Sequence, residues 1–403
     1  MIMSDRGPLT GVRVVELGNF IAAPTAGRLL ADFGADVVKV ERPGSGDELR
    51  RWRLHAGDTS LLFRALGRNK RSVTLDLRSS EGQDVARKLI AKADVVLENF
   101  RPGTLERWGL GPEELKQLNP GLVLVRVSGY GQTGPYRDRP GFGGVAEAIG
   151  GLRALTGYPD RPPTRVGVSL ADSVAGLYAV IGALMGLLRR EREGGGGETV
   201  DVALYEAVYS LMESLVPDFD AFGVVREPAG SALPGIAPSN TYRCGDGKYI
   251  VVSGNGDAIF RRLAHAIGRP DLADDPALAD NAGRVANAAR LDQVIGDWAQ
   301  GRSQEAAETT LRAADVPCGP ILTAEDITKD PHFEARGMHQ RRTVRIDDED
   351  VEVTFPGVVP ALGEHPGSVR TLGPELGEHT EDVLAELGFD DETRARLRAD
   401  GVI

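Results

Sequence analysis

Over the first 130 residues, short apolar runs alternate with stretches of helical spacing. "VRVVELG" (12–18), "DVVKVE" (36–41), "RSVTLDL" (71–77), "DVVLENF" (94–100) and "LVLVRVSG" (122–129) read as strands. Between them, "PTAGRLLADFGA" (24–35), "EGQDVARKLIAKA" (81–93) and "GPEELKQL" (111–118) place apolar residues on one helical face. Ser79 or Ser80 can cap the second of these helices, and Pro112 takes a favoured first position in the third. Strands alternating with helices predict a parallel sheet covered by helices on its faces.

The most apolar stretch is "GVSLADSVAGLYAVIGALMGLLRR" (167–190). Apolar residues at 174, 177, 178, 181, 184, 185 and 188 predict a helix over 173–188 that is buried nearly all round. Asp172 stands immediately before it. The spacing makes this carboxylate either an N-cap or a nucleophile at the mouth of a dry helix, and position alone leaves both open. "TVDVAL" (199–204) reads as a strand and "YEAVYSLMESL" (205–215) as a helix, after a turn at Gly194–Gly197.

The pattern then changes. Residues 217–240 are rich in Pro, Gly and Ala and read as a linker between a large part, 1–216, and a smaller α+β part, 241–318. That part opens with a hairpin over 240–254, turned at Asp246-Gly247, followed by helices near 257–267, 284–300 and 303–314. Residues 319–403 read as a return linker, a pair of strands ("RTVRI", "VEVTF") and two closing helices.

The formal charge of −12 over 403 residues argues against a general nucleic-acid binder, which would need a basic face. The two cysteines, Cys244 and Cys318, form no CxxC pair, so neither a disulfide framework nor a zinc site is expected. None of the six histidines pairs at ligand spacing, and no metal is expected. "MIMSDRGPLTG" lacks an apolar signal region, and the run 174–188 is shorter than the ~20 residues of a membrane span. These features predict a cytoplasmic protein without a membrane partner.

Ligands of parallel sheets bind beyond the carboxyl ends of the strands. The segments leaving those ends are "GNFIAAP" (18–24), "ERPGSGD" (41–47), "NFRPG" (99–103) and "SGYGQTGPYRDRPGFGG" (128–144). "GRNKRS" (67–72) adds Lys70 and Arg71. Gly, Arg and Asn in these loops suit a phosphate-bearing anion. "GYGQTG" fits G-x-G-x-x-G, but Pro135 and polar residues follow where a dinucleotide fingerprint needs a helix.

The order of "VRVVELG", "ADFGADVVKVERPGSGD", "NKRSVTLDL", "ADVVLENFRPG", "SGYGQTGP", "VGVSLADSVAGLYAVIGAL", "VPCGPI" and "LGEHTEDVLAELG" resembles the family III CoA-transferases, the formyl-CoA transferase group. The resemblance implies a large Rossmann-like domain from the N- and C-terminal parts, a smaller α+β domain, and an interlocked homodimer. It implies that Asp172 is the nucleophile, attacking an acyl-CoA to form an aspartyl-acyl anhydride and then an aspartyl-CoA thioester. CoA thioesters and carboxylic acids are then substrates, with no permanently bound cofactor. By the same resemblance Arg42, Lys70 and Arg71 hold the phosphate end of CoA. Leu75, Arg78, Asn99 and Phe100 lie in matching CoA-binding stretches, as do Arg101, Arg107, Arg139 and Phe142. Ile21, Ala22 and Leu62 fall at the acyl pocket.

Ile21 stands where formyl-CoA transferases carry Gln, and Leu62 and Phe142 replace two of their tyrosines. Their glycine-rich lid is absent, with "SALPGIAPSN" in that region. A succinyl-type donor is therefore expected over formyl-CoA, with Arg53, Arg64 or Arg139 as partner for a second carboxylate. Two alternatives share the resemblance: an acyl-CoA racemase, which needs a base where Phe142 stands, and a CoA-binding protein without catalysis.

Overall fold

The structure, a computed structural model, describes residues 7–403. The chain divides into two compact units. One comprises the residues up to Leu152, Val166–Gly223 and Pro331–Ile403; the other comprises Arg153–Arg165 and Val224–Asp330.

The first unit is built on a six-stranded sheet of β1 (Arg13–Glu16), β2 (Asp36–Glu41), β3 (Lys70–Thr74), β4 (Val95–Glu98), β5 (Val123–Ser128) and β6 (Glu198–Ala203). The order is β3-β2-β1-β4-β5-β6 and every pairing is parallel. Its strands are near-continuous Val and Leu runs because both faces are covered. Between β1 and β4 the direction of progression reverses. The loops after these two strands therefore diverge and leave a crevice. Helix Ser80–Ile90 is capped by Ser79, whose hydroxyl accepts the Gly82 amide, and Pro112 opens the next helix as expected. The C-terminal segment returns to the sheet: Thr380 Oγ1 accepts the Thr74 amide at 3.0 Å, and the Asp76 amide donates to the Val402 carbonyl at 2.8 Å.

Three helices position the site: α1 (Ala22–Asp32), α2 (Gly143–Ile149) and α3 (Leu170–Glu193). Helix α3 departs from expectation in three ways. It starts at Leu170 with Ser169 as N-cap residue, so Asp172 lies inside the first turn and is not the cap. It runs for 24 residues and is apolar enough to cross a membrane by length and composition alone, so the shortness of the 174–188 run excludes nothing. Its buried stripe is made of small residues: Ala171, Ala175, Gly176, Ala179, Ala183 and Gly186. A Cβ on Gly176 would stand 2.8 Å from the Ala22 carbonyl, and one on Gly186 2.8 Å from Val123. This stripe lets α3 lie close against α1 and the sheet. The large side chains Leu177, Ile181, Leu184, Met185 and Leu188 consequently point outward, Met185 being 65% exposed.

The expected helix 205–215 ends at Tyr209, and a further helix, Leu215–Phe222, occupies the start of the supposed linker. Pro217 falls in its first turn, where the missing N–H costs nothing. Gly223 closes it in the left-handed conformation (φ 67°).

The second unit packs helices against an antiparallel sheet of β7 (Ser239–Arg243), β8 (Tyr249–Ser253) and β9 (Cys318–Pro320). Tyr242, Ile250, Phe260, Leu291, Trp298 and Leu311 belong to its core. The expected strand pair of the C-terminal segment is β10 (His339–Ile346) with β11 (Glu349–Pro356).

Candidate active site

Asp172 is half-buried in the first turn of α3. Its carboxylate rests on Gly143, the first residue of α2: a Cβ there would stand 2.1 Å from Oδ2 and 2.9 Å from Cγ. Gly143 reaches this place at the end of the loop that leaves β5. The neck of that loop is pinched between Gly129 and Gly141, where a Cβ on Gly129 would meet the Gly141 Cα at 2.7 Å. Residues 129–142 contain no helix, so "GYGQTG" forms an irregular loop.

Phe142, the residue before Gly143, is half exposed, and its ring meets Phe20 edge-on at 5.5 Å. Phe20 in turn lies 5.5 Å from Trp52. The sequence reading missed Phe20. Its backbone is left-handed (φ 63°), which is uncommon for a bulky side chain and has no local sequence signal. Ile21 is buried in one cluster with Leu49 and Phe63, against which Leu62 and Trp52 pack. Ala22 is buried at the start of α1. Through Trp52 and Phe20 this apolar wall continues to Phe142, beside the Gly143 on which Asp172 rests.

The turn carrying Phe20 also borders a cleft beyond the carboxyl ends of β1 and β2. Arg42, Leu75, Arg78 and Phe100 line it together with Asn19, Asp76 and Trp108. Asn99 spans the crevice: its Oδ1 accepts the Asn19 amide at 2.8 Å and its Nδ2 donates to the Asn19 carbonyl at 2.7 Å. Arg42 is exposed and Arg78 donates to Asp76 at 3.0 Å. Burial acts to raise the Asp76 pKa, but the Arg78 hydrogen bonds and the Arg42 charge outweigh it and hold this carboxyl low. Arg101 and Arg107 are exposed beside the cleft, Arg107 donating to Thr104. Arg139 lies over the Tyr136 ring at 3.5 Å in the loop after β5.

Lys70 and Arg71 do not join this rim. Lys70 is fully buried, its ammonium 2.7 Å from Glu16 and 2.9 Å from the Pro24 carbonyl. Burial first, against the pull of Glu16, brings its pKa down to about 8. Arg71 sits near the amino end of β3 and pairs with Asp36 at 2.7 Å and Glu386 at 2.8 Å, away from the strands' carboxyl ends. Two basic residues next to a strand looked like a phosphate clamp, but alternation sends one inward to a buried acid and leaves the other at the wrong end of the sheet. Arg64 is likewise committed, to the Gly373 carbonyl at 2.7 Å and to Glu375.

These placements separate two outcomes. For the CoA binding that the resemblance implies, Arg42→Ala or Arg78→Ala should raise the apparent KM for acyl-CoA about three- to tenfold with little change in kcat, as expected for an exposed contact worth ~1 kcal/mol. Lys70→Met should instead leave that KM unchanged and lower stability by ~3–5 kcal/mol, because Glu16 loses a buried partner. Steady-state kinetics and denaturant unfolding read the two effects.

The sequence matches the family described as CoA-transferase family III over residues 9–380. The chain belongs to this family. Among curated relatives, the succinyl-CoA–D-citramalate CoA-transferase of Chloroflexus aurantiacus is 48% identical over 399 residues, covering 98% of each chain. The succinyl-CoA–L-malate CoA-transferase beta subunit of the same organism is 46% identical over 403 residues, again with 98% of each covered. A CAIB/BAIF family protein from Brucella suis superposes with a TM-score of 0.83 at 36% identity, covering 95% of this chain and 100% of that one. The protein is thus a CoA-transferase.

Proposed function

We propose that this CoA-transferase moves CoA from succinyl-CoA to a four- or five-carbon dicarboxylic acid, with Asp172 as covalent carrier. The observation that carries the reading is the half-buried Asp172 carboxylate, set on Gly143 beside an apolar wall. The names of the two relatives support the donor and the acceptor class.

The chemistry closes on this one carboxylate. Asp172 attacks the thioester carbonyl, the C–S bond breaks, and a mixed anhydride and CoA thiolate form. The thiolate attacks the Asp172 carbonyl of the anhydride, releasing succinate and leaving an aspartyl-CoA thioester. The acceptor carboxylate then attacks that thioester, giving a second anhydride and free thiolate. Thiolate attack on the acceptor acyl carbon forms the product thioester and restores Asp172. Every step exchanges one carboxylate or thiolate anion for another at an acyl carbon, so no proton or electron must be supplied from elsewhere. Water must be kept out, which the rings of Phe20 and Phe142 favour. Phe142 offers no base for racemisation.

Two methylenes of a succinyl group buried on this wall contribute ~0.8 kcal/mol each, about a tenfold advantage over a formyl group. Oxalate would lose hydration at both carboxylates here without compensation. Arg53 and Arg139 are the remaining candidate cations for a distal carboxylate, since Arg64 is engaged. Comparing kcat/KM for succinyl-CoA plus malate or citramalate with formyl-CoA plus oxalate tests this. Succinyl-CoA should win by about tenfold or more, and a preference for formyl-CoA and oxalate would refute the reading of the wall.

The outward stripe of α3 (Leu177, Ile181, Leu184, Met185 and Leu188), with the exposed Phe219 and Phe222 of the helix Leu215–Phe222, supports a homodimer in which a second copy covers these side chains. The dimer, operating in the cytoplasm, should run at twice the chain mass of 43.0 kDa in light scattering. A monomer at micromolar concentration would contradict it.

A further inference from the structure

A network of buried charges lies directly under the turn between β1 and α1. Lys39 is 1% exposed. Its ammonium donates to Glu16 Oε1 at 2.9 Å and to the Gly18 carbonyl at 2.8 Å, and forms an ion pair with Asp47 Oδ2 at 2.9 Å. Asp47, wholly buried, turns its other oxygen to the chain: Oδ1 accepts the Phe20 amide at 3.1 Å and the Leu49 amide at 2.9 Å. The Asp47 amide donates to Glu41 Oε2 at 3.0 Å, and Glu41 is clasped by Arg50 at 2.7 and 2.8 Å and by the Ser72 hydroxyl at 2.6 Å. Lys70 holds the far end of the turn through the Pro24 carbonyl. Glu16, Glu41 and Asp47 are matched by Lys39, Lys70 and Arg50, so the cluster is balanced.

So many buried charges stabilise a fold poorly compared with apolar packing. What they do is fix geometry. Each end of the Gly18–Pro24 turn is tied by a lysine, and its middle is tied by Asp47 at the residue whose backbone is left-handed. That residue, Phe20, touches Phe142 beside Gly143, on which Asp172 rests. We infer that Asp47 is a positioning residue for the transfer reaction, holding Phe20 and Ile21 in place so that water stays away from the acyl-aspartyl intermediates. Burial acts against the Lys39 charge, but Asp47, Glu16 and Glu41 together raise its pKa, so the tie persists over the working range. Glu41 is likewise held below the ordinary carboxylate range: burial raises it, and Arg50, Lys39 and Ser72 outweigh that.

The inference rests on the aspartyl mechanism proposed above, and its test keeps the two apart. Succinyl-CoA is incubated with the enzyme and malate or citramalate, and mass spectrometry reads new acyl-CoA against free CoA, the product of hydrolysis. Asp47→Glu keeps the charge for Lys39 but lengthens the side chain by one methylene and pushes the turn. Asp47→Asn keeps an oxygen for the Phe20 and Leu49 amides but sets an amide donor against Lys39. The expected result is a hydrolysis-to-transfer ratio raised at least tenfold by Asp47→Glu and held within threefold by Asp47→Asn, although Asp47→Asn lowers Tm. Leu115→Ala, in the sheet core away from the turn, lowers Tm and leaves the ratio unchanged. A ratio that merely follows Tm across the three variants, or an Asp47→Glu enzyme with the wild-type ratio, overturns the positioning role. Should Asp47→Glu not fold, Phe20→Asn, which tolerates the left-handed backbone and removes the ring, must raise the ratio likewise, and an unchanged ratio overturns the inference equally. Failure of the wild-type enzyme to transfer CoA at all would instead sink the aspartyl reading itself.

Discussion

Asp172→Ala should be a folded, soluble protein with transfer reduced by about 10³-fold or more, the scale expected when a covalent nucleophile is removed. The carboxylate is the one acid in the first turn of α3. That position favours the anion by ~0.3–1 kcal/mol, keeping it ready to attack. Removing one half-buried carboxylate from a first turn that packs through small residues should move Tm by no more than a few degrees. Acyl-CoA binding should survive, because Arg42 and Arg78 line the cleft and remain in place. Wild-type enzyme trapped with hydroxylamine in the presence of succinyl-CoA should carry a hydroxamate at Asp172, seen by peptide mass spectrometry. Substantial turnover by Asp172→Ala, or label elsewhere, would show that another group carries the acyl chain.

Most of the sheet was legible because parallel strands buried on both faces write themselves as Val and Leu runs; "DVVKVE" coincides with β2 residue for residue. Asp172 stood out as a lone charge heading an apolar helix, but its spacing left cap and nucleophile open, and the structure removes only the cap. What stayed hidden was set by partners distant in sequence. Nothing near Phe20 announces a left-handed backbone; Asp47, 27 residues on, holds it there. Lys70 reads as a rim cation until Glu16 is found beneath it. One signal was present and unread: Glu16, Lys39, Glu41, Glu98 and Arg126 interrupt strand runs that should be apolar throughout, and all are buried. A charge inside a parallel strand must find a partner, and here such charges gather toward the strand ends that carry the site. The outward stripe of α3 was misread because helical spacing reports which residues are apolar, not which face the chain itself covers. Close approach through Gly176 and Gly186 made the small residues the inner face.

Gly143→Ala should separate activity from stability more cleanly than any other single change. The residue begins α2 without a left-handed backbone, so Ala meets no conformational strain there. In a helix Ala is favoured over Gly by ~1 kcal/mol. The new methyl has one serious conflict, with Asp172: 2.1 Å to Oδ2 and 2.9 Å to Cγ. A carboxylate at the end of a short side chain can relieve that contact by rotating away. The cost then falls on the position of the nucleophile and leaves the fold intact. A displacement of about 1 Å is enough for a loss near 10²-fold in kcat/KM. Gly176→Ala makes the opposite case. There the methyl meets the Ala22 carbonyl and Thr25 at 2.8 Å, so α1 and α3 must part and stability falls. Thermal unfolding and kcat/KM measured on both variants should therefore diverge. Gly143→Ala should keep the wild-type Tm or exceed it while transferring CoA about a hundredfold more slowly. A Gly143→Ala enzyme within threefold of wild type would mean that Asp172 can attack from elsewhere, and that its seat on Gly143 is incidental to the chemistry.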